Sequence, residues 1–257
     1  MRDLRITLVQ ANQIWEDKQA NLNHFEQLIA EVETDLLVFP EMFHTGFSMN
    51  PEKLAERMMD SQGLTWLKRI AAEKNAACYT SLIIEENNCY FNRGVFVEPS
   101  GKTTIYDKRK RFALAGEDLV FSAGKSSTIV DYNGWKINLQ ICYDLRFPVW
   151  ARNRNEYDVL VYSANWPESR TEVWNTLLKA RAIENQSYVV GANRVGVDGS
   201  HILYSGNSQL IDPKGTQLSA IADHHKGIVF AGFSYSELTE FRKKFPVLDD
   251  ADQFAIK

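Results

Sequence analysis

Three side chains that could carry covalent chemistry follow three short segments that read as strands in this 257-residue sequence. The run 36–39 ends in Pro40-Glu41, the run 103–106 in Asp107-Lys108, and the run 137–141 in Cys142. An acid, an amine and a thiol behind buried strands suit acyl transfer, because loops converge at strand ends. Residues 147–153 read as a short helix after Cys142. A thiol at such a strand-to-helix junction faces the positive end of a helix dipole, which favours thiolate, and the Tyr143 N–H is aimed at a developing oxyanion. Glu41, beside Phe39, Met42 and Phe43, is expected to have a raised pKa, which suits a general base or acid. The Lys108 amine can bind an oxyanion or balance a carboxylate such as Glu41.

Taken singly, each of these residues has a plainer reading. A free cysteine is usually a small buried hydrophobe, and a glutamate at a strand end usually faces water. Lys108 opens the cationic run Lys108-Arg109-Lys110-Arg111, which reads equally well as a solvated face. Cys78 lies in an apolar stretch and reads as core. Cys89 lies in a polar loop and reads as an incidental thiol. The five histidines form no HxxxH or HxxEH pattern and there is no CxxC, so no metal site is expected. Neither a GxGxxG nor a GxxxxGKS segment is present, and no nucleotide cofactor is expected.

Composition narrows the class. Lysine plus arginine is 29 against 33 acidic residues, a net charge of −4, so the chain lacks the bulk charge for nucleic-acid backbones. No apolar run approaches the ~18 residues of a membrane span. Three cysteines are too few and odd in number for a disulfide framework. With no secretory leader at the start, where residues 1–10 read as a strand, a reducing, cytoplasmic compartment is expected.

The elements that must hold the three residues are strands alternating with helices. Apolar runs at 6–9, 36–39, 77–84, 91–97, 137–141, 159–162, 188–190, 208–211 and 228–233 read as strands, several buried on both faces. Asn133-Gly134 marks a hairpin turn between 128–131 and 135–142. Helical spacing of apolar residues covers 17–33, 61–75 and 171–186. No linker or repeat interrupts the chain, so one domain over residues 1–257 is expected, an α/β layer structure with mixed sheets.

With these residues in place, the sequence resembles the nitrilase, or carbon–nitrogen hydrolase, superfamily. The resemblance rests on Phe39-Pro40-Glu41-Met42-Phe43, Tyr106-Asp107-Lys108 and Ile141-Cys142-Tyr143-Asp144-Leu145-Arg146-Phe147-Pro148. Further matching segments are Gly116-Glu117, Ala164-Asn165-Trp166-Pro167, Arg181-Ala182-Ile183-Glu184-Asn185-Gln186 and Gly206-Asn207-Ser208. The order of the whole set is more specific than any one piece. It implies a four-layer α-β-β-α sandwich, often dimeric, with no cofactor or metal. It implies Cys142 as nucleophile, Glu41 as proton acceptor and donor, and Lys108 with the Tyr143 N–H on the oxyanion. Glu117 matches a second family glutamate that supports the lysine. Many relatives carry histidine two residues after that lysine. Lys110 stands there in this chain, which bears on how the lysine loop packs.

Within the superfamily the segments around Glu41 and Cys142 are most similar to bacterial omega-amidases, which implies 2-oxoglutaramate or 2-oxosuccinamate as substrate. The alternatives are a nitrile, an N-carbamoyl amine or a deaminated glutathione-like amide. An omega-amide substrate carries a remote carboxylate, for which arginine is the natural partner. Arg146, Arg170 and Arg194 are the candidates, with Arg146 also able to pair near Asp144. Trp166 and Phe43 are candidate pocket walls.

Overall fold

The structure, a computed structural model, describes residues 3–219 and 221–256. Met1 and Arg2, part of the first expected strand, lie outside the described residues. In chain order the strands are β1 (Leu4–Gln10), β2 (Leu36–Val38), β3 (Ala77–Glu86), β4 (Cys89–Val97), β5 (Thr103–Asp107), β6 (Ile129–Tyr132) and β7 (Trp135–Ile141). They continue with β8 (Val159–Ser163), β9 (Tyr188–Ala192), β10 (Val195–Val197), β11 (Leu203–Ser205), β12 (Gln209–Ile211), β13 (Gln217–Ser219) and β14 (Gly227–Phe233). The helices are α1 (Lys18–Ile29), α2 (Pro51–Leu54), α3 (Gln62–Lys74), α4 (Glu117–Val120), α5 (Thr171–Asn185) and α6 (Tyr235–Lys244).

Two six-stranded sheets result, in the orders β14-β1-β2-β3-β4-β5 and β13-β12-β9-β8-β7-β6. Both are mixed, with parallel centres (β1-β2-β3 and β7-β8-β9) and antiparallel flanks. The period of two along each strand sorts side chains between layers. On the first sheet Leu4, Ile6, Leu8, Leu36, Val38 and Tyr79 face inward, onto Ile137, Leu139, Ile141 and Val161 of the second. Their neighbours Val9, Leu37 and Cys78 face outward, onto Leu22, Phe25 and Ile29 of α1 and Leu64, Leu67 and Ile70 of α3. Trp174, Leu178 and Ala182 of α5 cover the far side of the second sheet. This is the expected α-β-β-α sandwich.

Local chemistry sets the boundaries. The Asp17 carboxylate accepts from the Ala20 N–H at the start of α1, and the Ser61 hydroxyl from the Leu64 N–H at the start of α3. Asn133 and Gly134 both have positive φ (53° and 82°), as a tight hairpin turn requires. Helix α1 stops at Ile29, short of the expected residue 33, where the Lys74 ammonium takes the carbonyls of Ala30 and Val32. The helix expected over 147–153 does not form. A five-residue 3₁₀ turn, Cys142–Arg146, follows β7 instead. Pro148 forces Phe147 out of the helical region (φ −116°, ψ 85°), and the turn ends there.

Candidate active site

The ends of β2, β5, β7 and β8 meet at one edge of the sandwich. The Ser163 hydroxyl at the end of β8 donates to the Phe39 carbonyl after β2, tying the two sheets together at 2.8 Å. Glu41, Lys108 and Glu117 lie beneath this junction, each essentially fully buried. The Lys108 ammonium donates to Glu41 Oε1 at 2.7 Å and to both Glu117 oxygens at 2.9 Å. The Asn92 amide, on β4, donates to Glu41 Oε1 at 2.7 Å and to Glu117 Oε1 at 3.1 Å. One lysine and one amide thus serve two carboxylates.

The electrostatics follow from that sharing. Burial raises the Glu41 pKa, and the Glu117 charge raises it further against the pull of Lys108. Burial works against the Lys108 charge, but Glu117 and Glu41 outweigh it and keep the ammonium protonated. The lysine loop is held from behind: the Gly124 N–H donates to the Lys108 carbonyl at 2.9 Å. A Cβ at Gly124 would sit 1.8 Å from the Asp107 carbonyl oxygen, so only glycine permits this approach.

Cys142 comes from the other sheet. Its φ of 43° is a left-handed conformation that a non-glycine residue adopts only under constraint. Asp144 supplies the constraint. Its carboxylate accepts from the Ile141 N–H (3.1 Å), the Tyr106 hydroxyl (2.8 Å) and the Lys110 N–H (2.9 Å). It therefore ties the cysteine turn to the lysine loop, and burial lifts its pKa to about 6. Lys110, in the place where many relatives have histidine, contributes that backbone N–H and lays its ammonium 4.6 Å from the centre of the Phe147 ring.

The Cys142 thiol lies 3.7 Å from the Asn165 carbonyl, and the Asn165 N–H donates to Glu41 Oε2 at 3.0 Å. One residue after β8 thus touches both the thiol and the carboxylate. Burial and the Glu41 charge push the thiol pKa well above its ordinary value. This corrects the expected helix-dipole activation. With no α-helix behind Cys142, the resting group is a thiol beside a carboxylate of raised basicity. Tyr143, in the first turn of the 3₁₀ segment, has an N–H without an intrahelical acceptor.

Above Cys142 opens a cleft of about 350 Å³. Lys108, Cys142, Tyr143, Arg146, Trp166 and Arg170 all line it. Two expectations fail here. Phe43 packs against Phe25, Phe39 and Trp66 in the core under α1 and α3 and is absent from the cleft lining. Arg194 is fully buried, and its guanidinium donates to Asn12 and to the carbonyls of Gln13, Val195 and Val197. It holds the loop from β9 to β10 and is absent from the cleft lining. Arg146 makes no pair with Asp144, whose oxygens are already occupied.

A carbon–nitrogen hydrolase family model matches residues 5–243. The chain belongs to the carbon–nitrogen hydrolase family. It is accordingly an enzyme that cleaves amide-type carbon–nitrogen bonds. Omega-amidase YafV of Escherichia coli (strain K12) is 44% identical over 258 residues, covering 100% of both chains. The 2-oxoglutaramate amidase of Bacillus subtilis (strain 168) is 35% identical over 84% of each. Among solved structures, the carbon–nitrogen hydrolase superfamily protein XC1258 from Xanthomonas campestris superposes with a TM-score of 0.97 at 38% identity, covering 100% of both chains.

Sequence reasoning missed Asn92, Asp144 and Asn165, which position this hydrolase site. Among the described residues no group of three or more His, Cys, Asp or Glu is placed to hold a metal ion. No described helix is long and apolar enough to cross a membrane.

Proposed function

We propose that this chain is an omega-amidase, hydrolysing the terminal amide of 2-oxoglutaramate or 2-oxosuccinamate to the 2-oxo dicarboxylate and ammonia. One observation carries the chemistry: the thiol and the buried ammonium line one cleft, and the raised-pKa carboxylate accepts from that ammonium beneath it. The full-length similarity to omega-amidase YafV supports the substrate class.

In the proposed reaction, the Cys142 thiol gives its proton to Glu41 as Sγ attacks the amide carbon. The carbonyl oxygen becomes an oxyanion held by the Lys108 ammonium and the Tyr143 N–H. Glu41 then returns the proton to the departing nitrogen, releasing ammonia and leaving a thioester on Sγ. Water attacks the thioester carbon and Glu41 takes a proton from it. Collapse breaks the C–S bond, releases the carboxylic product and restores the thiol. The raised proton affinity of Glu41 makes it a better acceptor for the thiol proton. Glu117 keeps Lys108 charged, and Trp166 walls the cleft.

The whole chain acts as one catalytic domain in this reading, and no cofactor takes part. A homodimer is included, supported by exposed Ile183, Phe230 and Phe245, as is a cytoplasmic compartment that keeps Cys142 reduced. The test is intact mass during turnover of 2-oxoglutaramate. A transient acyl adduct on the wild type, absent in Cys142→Ala together with ammonia release, is expected. Undiminished ammonia release by folded Cys142→Ala would overturn the reading.

A further inference from the structure

Two tyrosine–aspartate pairs are buried in this protein, and one of them is incomplete. The Tyr106 hydroxyl donates to Asp144 at 2.8 Å, and the Tyr204 hydroxyl donates to Asp198 at 2.8 Å. A phenol whose proton is committed to a carboxylate can act towards a third group only as an acceptor. Tyr106 is filled in that role by the Trp150 indole N–H at 2.9 Å and the Arg109 N–H at 3.4 Å. Tyr204 is not: among the described residues no N–H or O–H donates to its oxygen.

The pairs also differ in place. Tyr106 and Asp144 are absent from the cleft lining, whereas Tyr204 and Asp198 line the cleft together with Cys142. Burial and the Asp198 charge raise the Tyr204 pKa, so the phenol keeps its proton. A charge on Cys142 raises it further, which marks the hydroxyl as a neighbour of the reacting sulfur.

The open oxygen is held in a fixed position. Strands β10 and β11 pair as a hairpin, and Asp198 Oδ1 accepts from the Ser200 N–H (2.8 Å) and the Ile202 N–H (3.0 Å) at its turn, leaving Oδ2 for Tyr204. A Cβ at Gly199 would sit 2.3 Å from the Trp15 indole nitrogen, so the turn packs directly on that ring. The Arg194 guanidinium lies 4.7 Å from the centre of the Tyr204 ring and fixes it from another side. Both Asp198 oxygens are thereby occupied, and the acceptor that the pair offers the cleft is the phenol oxygen.

A scissile amide needs partners of both kinds. Its oxygen takes donors, which Lys108 and the Tyr143 N–H supply in the proposed reaction. Its nitrogen carries hydrogen, which needs an acceptor once water is displaced. An ester of the same acid presents the same carbonyl oxygen and has no N–H.

We propose that the Tyr204 oxygen, its own proton held by Asp198, accepts a hydrogen bond from the N–H of the scissile amide and so selects amides over esters of the same acid. The inference rests on the omega-amidase reading and adds the group that recognises the leaving nitrogen.

The experiment compares kcat/KM for 2-oxoglutaramate and for the methyl ester of 2-oxoglutarate at the same carbonyl, which form the same thioester on Cys142. In Tyr204→Phe the amide-to-ester ratio should fall about 3- to 10-fold, the range for one hydrogen bond, because the amide value drops and the ester value holds. Asp198→Asn tests the polarity. The Ser200 and Ile202 N–H groups retain the asparagine oxygen, so its amide N–H faces Tyr204 and the phenol proton turns towards the cleft. The ratio should fall there too, although the hydroxyl is still present, and this variant provides the readout if Tyr204→Phe fails to fold. An unchanged ratio, including one in which both values fall together as for a merely structural role, overturns this proposal and leaves the omega-amidase reading standing. A wild type that hydrolyses neither compound overturns both.

Discussion

Two buried glutamates in this protein sit beside a lysine, and their environments push them in opposite directions. Glu56, just after α2, lies 3.3 Å from the His44 ring and accepts from Lys18 (2.8 Å), the Ser61 hydroxyl (2.6 Å) and the Gly63 N–H (3.2 Å). Burial works against its charge, but His44, Lys18 and Ser61 outweigh burial and hold the carboxyl well below its ordinary range. Glu41 has comparable donors but shares its lysine and its amide with Glu117, and its pKa is raised. The difference teaches that two things raise a carboxyl together: Glu41 is fully buried where Glu56 is only partly so, and the one cation beside Glu41 is shared with a second carboxylate. Glu56 closes the junction of α1, α2 and α3, whereas Glu41 is left able to accept a proton.

The strongest way to break this contrast is substitution at Glu41. Glu41→Gln should lower kcat/KM on the order of 10³-fold, the middle of the range for a lost general base. It should shift the melting midpoint less than Glu56→Gln does. A large melting shift with normal turnover would make Glu41 another Glu56.

The next effect is a difference in pH slope. The Asp144 pKa rises from an ordinary 3.8 to about 6 in the folded state. Its contribution to stability is therefore fully present below 3.8 and lost as pH rises through about 6. The loss is about 3 kcal/mol at 1.36 kcal/mol per pH unit. Glu56, depressed, does the reverse, contributing fully above the ordinary 4.5 and losing its contribution as pH falls. Urea unfolding of wild type and Glu56→Gln from about pH 2.5 to 7 separates the two, because the Glu56 contribution is lost below 4.5. The variant should keep the Asp144 decline above pH 4 and lose the acid-side decline.

Glu56→Gln at neutral pH should destabilise by about 2 kcal/mol, as expected for weakening a buried charged hydrogen-bond cluster. Turnover by the folded fraction should be unchanged. A fall in kcat with unaltered melting would place Glu56 on the wrong side of the comparison.

The smallest effect is the sharpest. Glu117→Gln removes the like charge that raises Glu41. The acid limb of the kcat/KM profile, which falls as Glu41 takes up a proton, should move to lower pH. Movement to higher pH would mean that Glu117 acts on Glu41 chiefly by holding Lys108 in place.

The fold was largely legible because period-two runs and helical stripes are local properties; most strands fell on the expected runs, while the three-residue strands β10, β11 and β13 were not expected. The errors had identifiable causes. The expected helix over 147–153 ignored the restriction that Pro148 places on Phe147. Phe43 and Arg194 were drawn into the site by residue type, although aromatic packing and backbone carbonyls claim them in the fold. Glu41, Lys108 and Cys142 could be found as strand-end residues. Asn92, Asp144 and Asn165 could not be chosen among many polar residues until β4, β7 and β8 were brought together. Their role lies in which groups they bridge, a long-range property that no short segment carries.

Cys142 and Asn165 follow strands of one sheet, while Glu41 and Lys108 follow strands of the other. Neither half of the sandwich holds the reacting set, so activity works as a coincidence detector for the finished assembly. A nascent or partly unfolded chain carries an ordinary cysteine, quiet towards the cell's amides, until the second layer docks. During refolding, recovered turnover therefore reports the meeting of the sheets and is blind to the formation of either one alone.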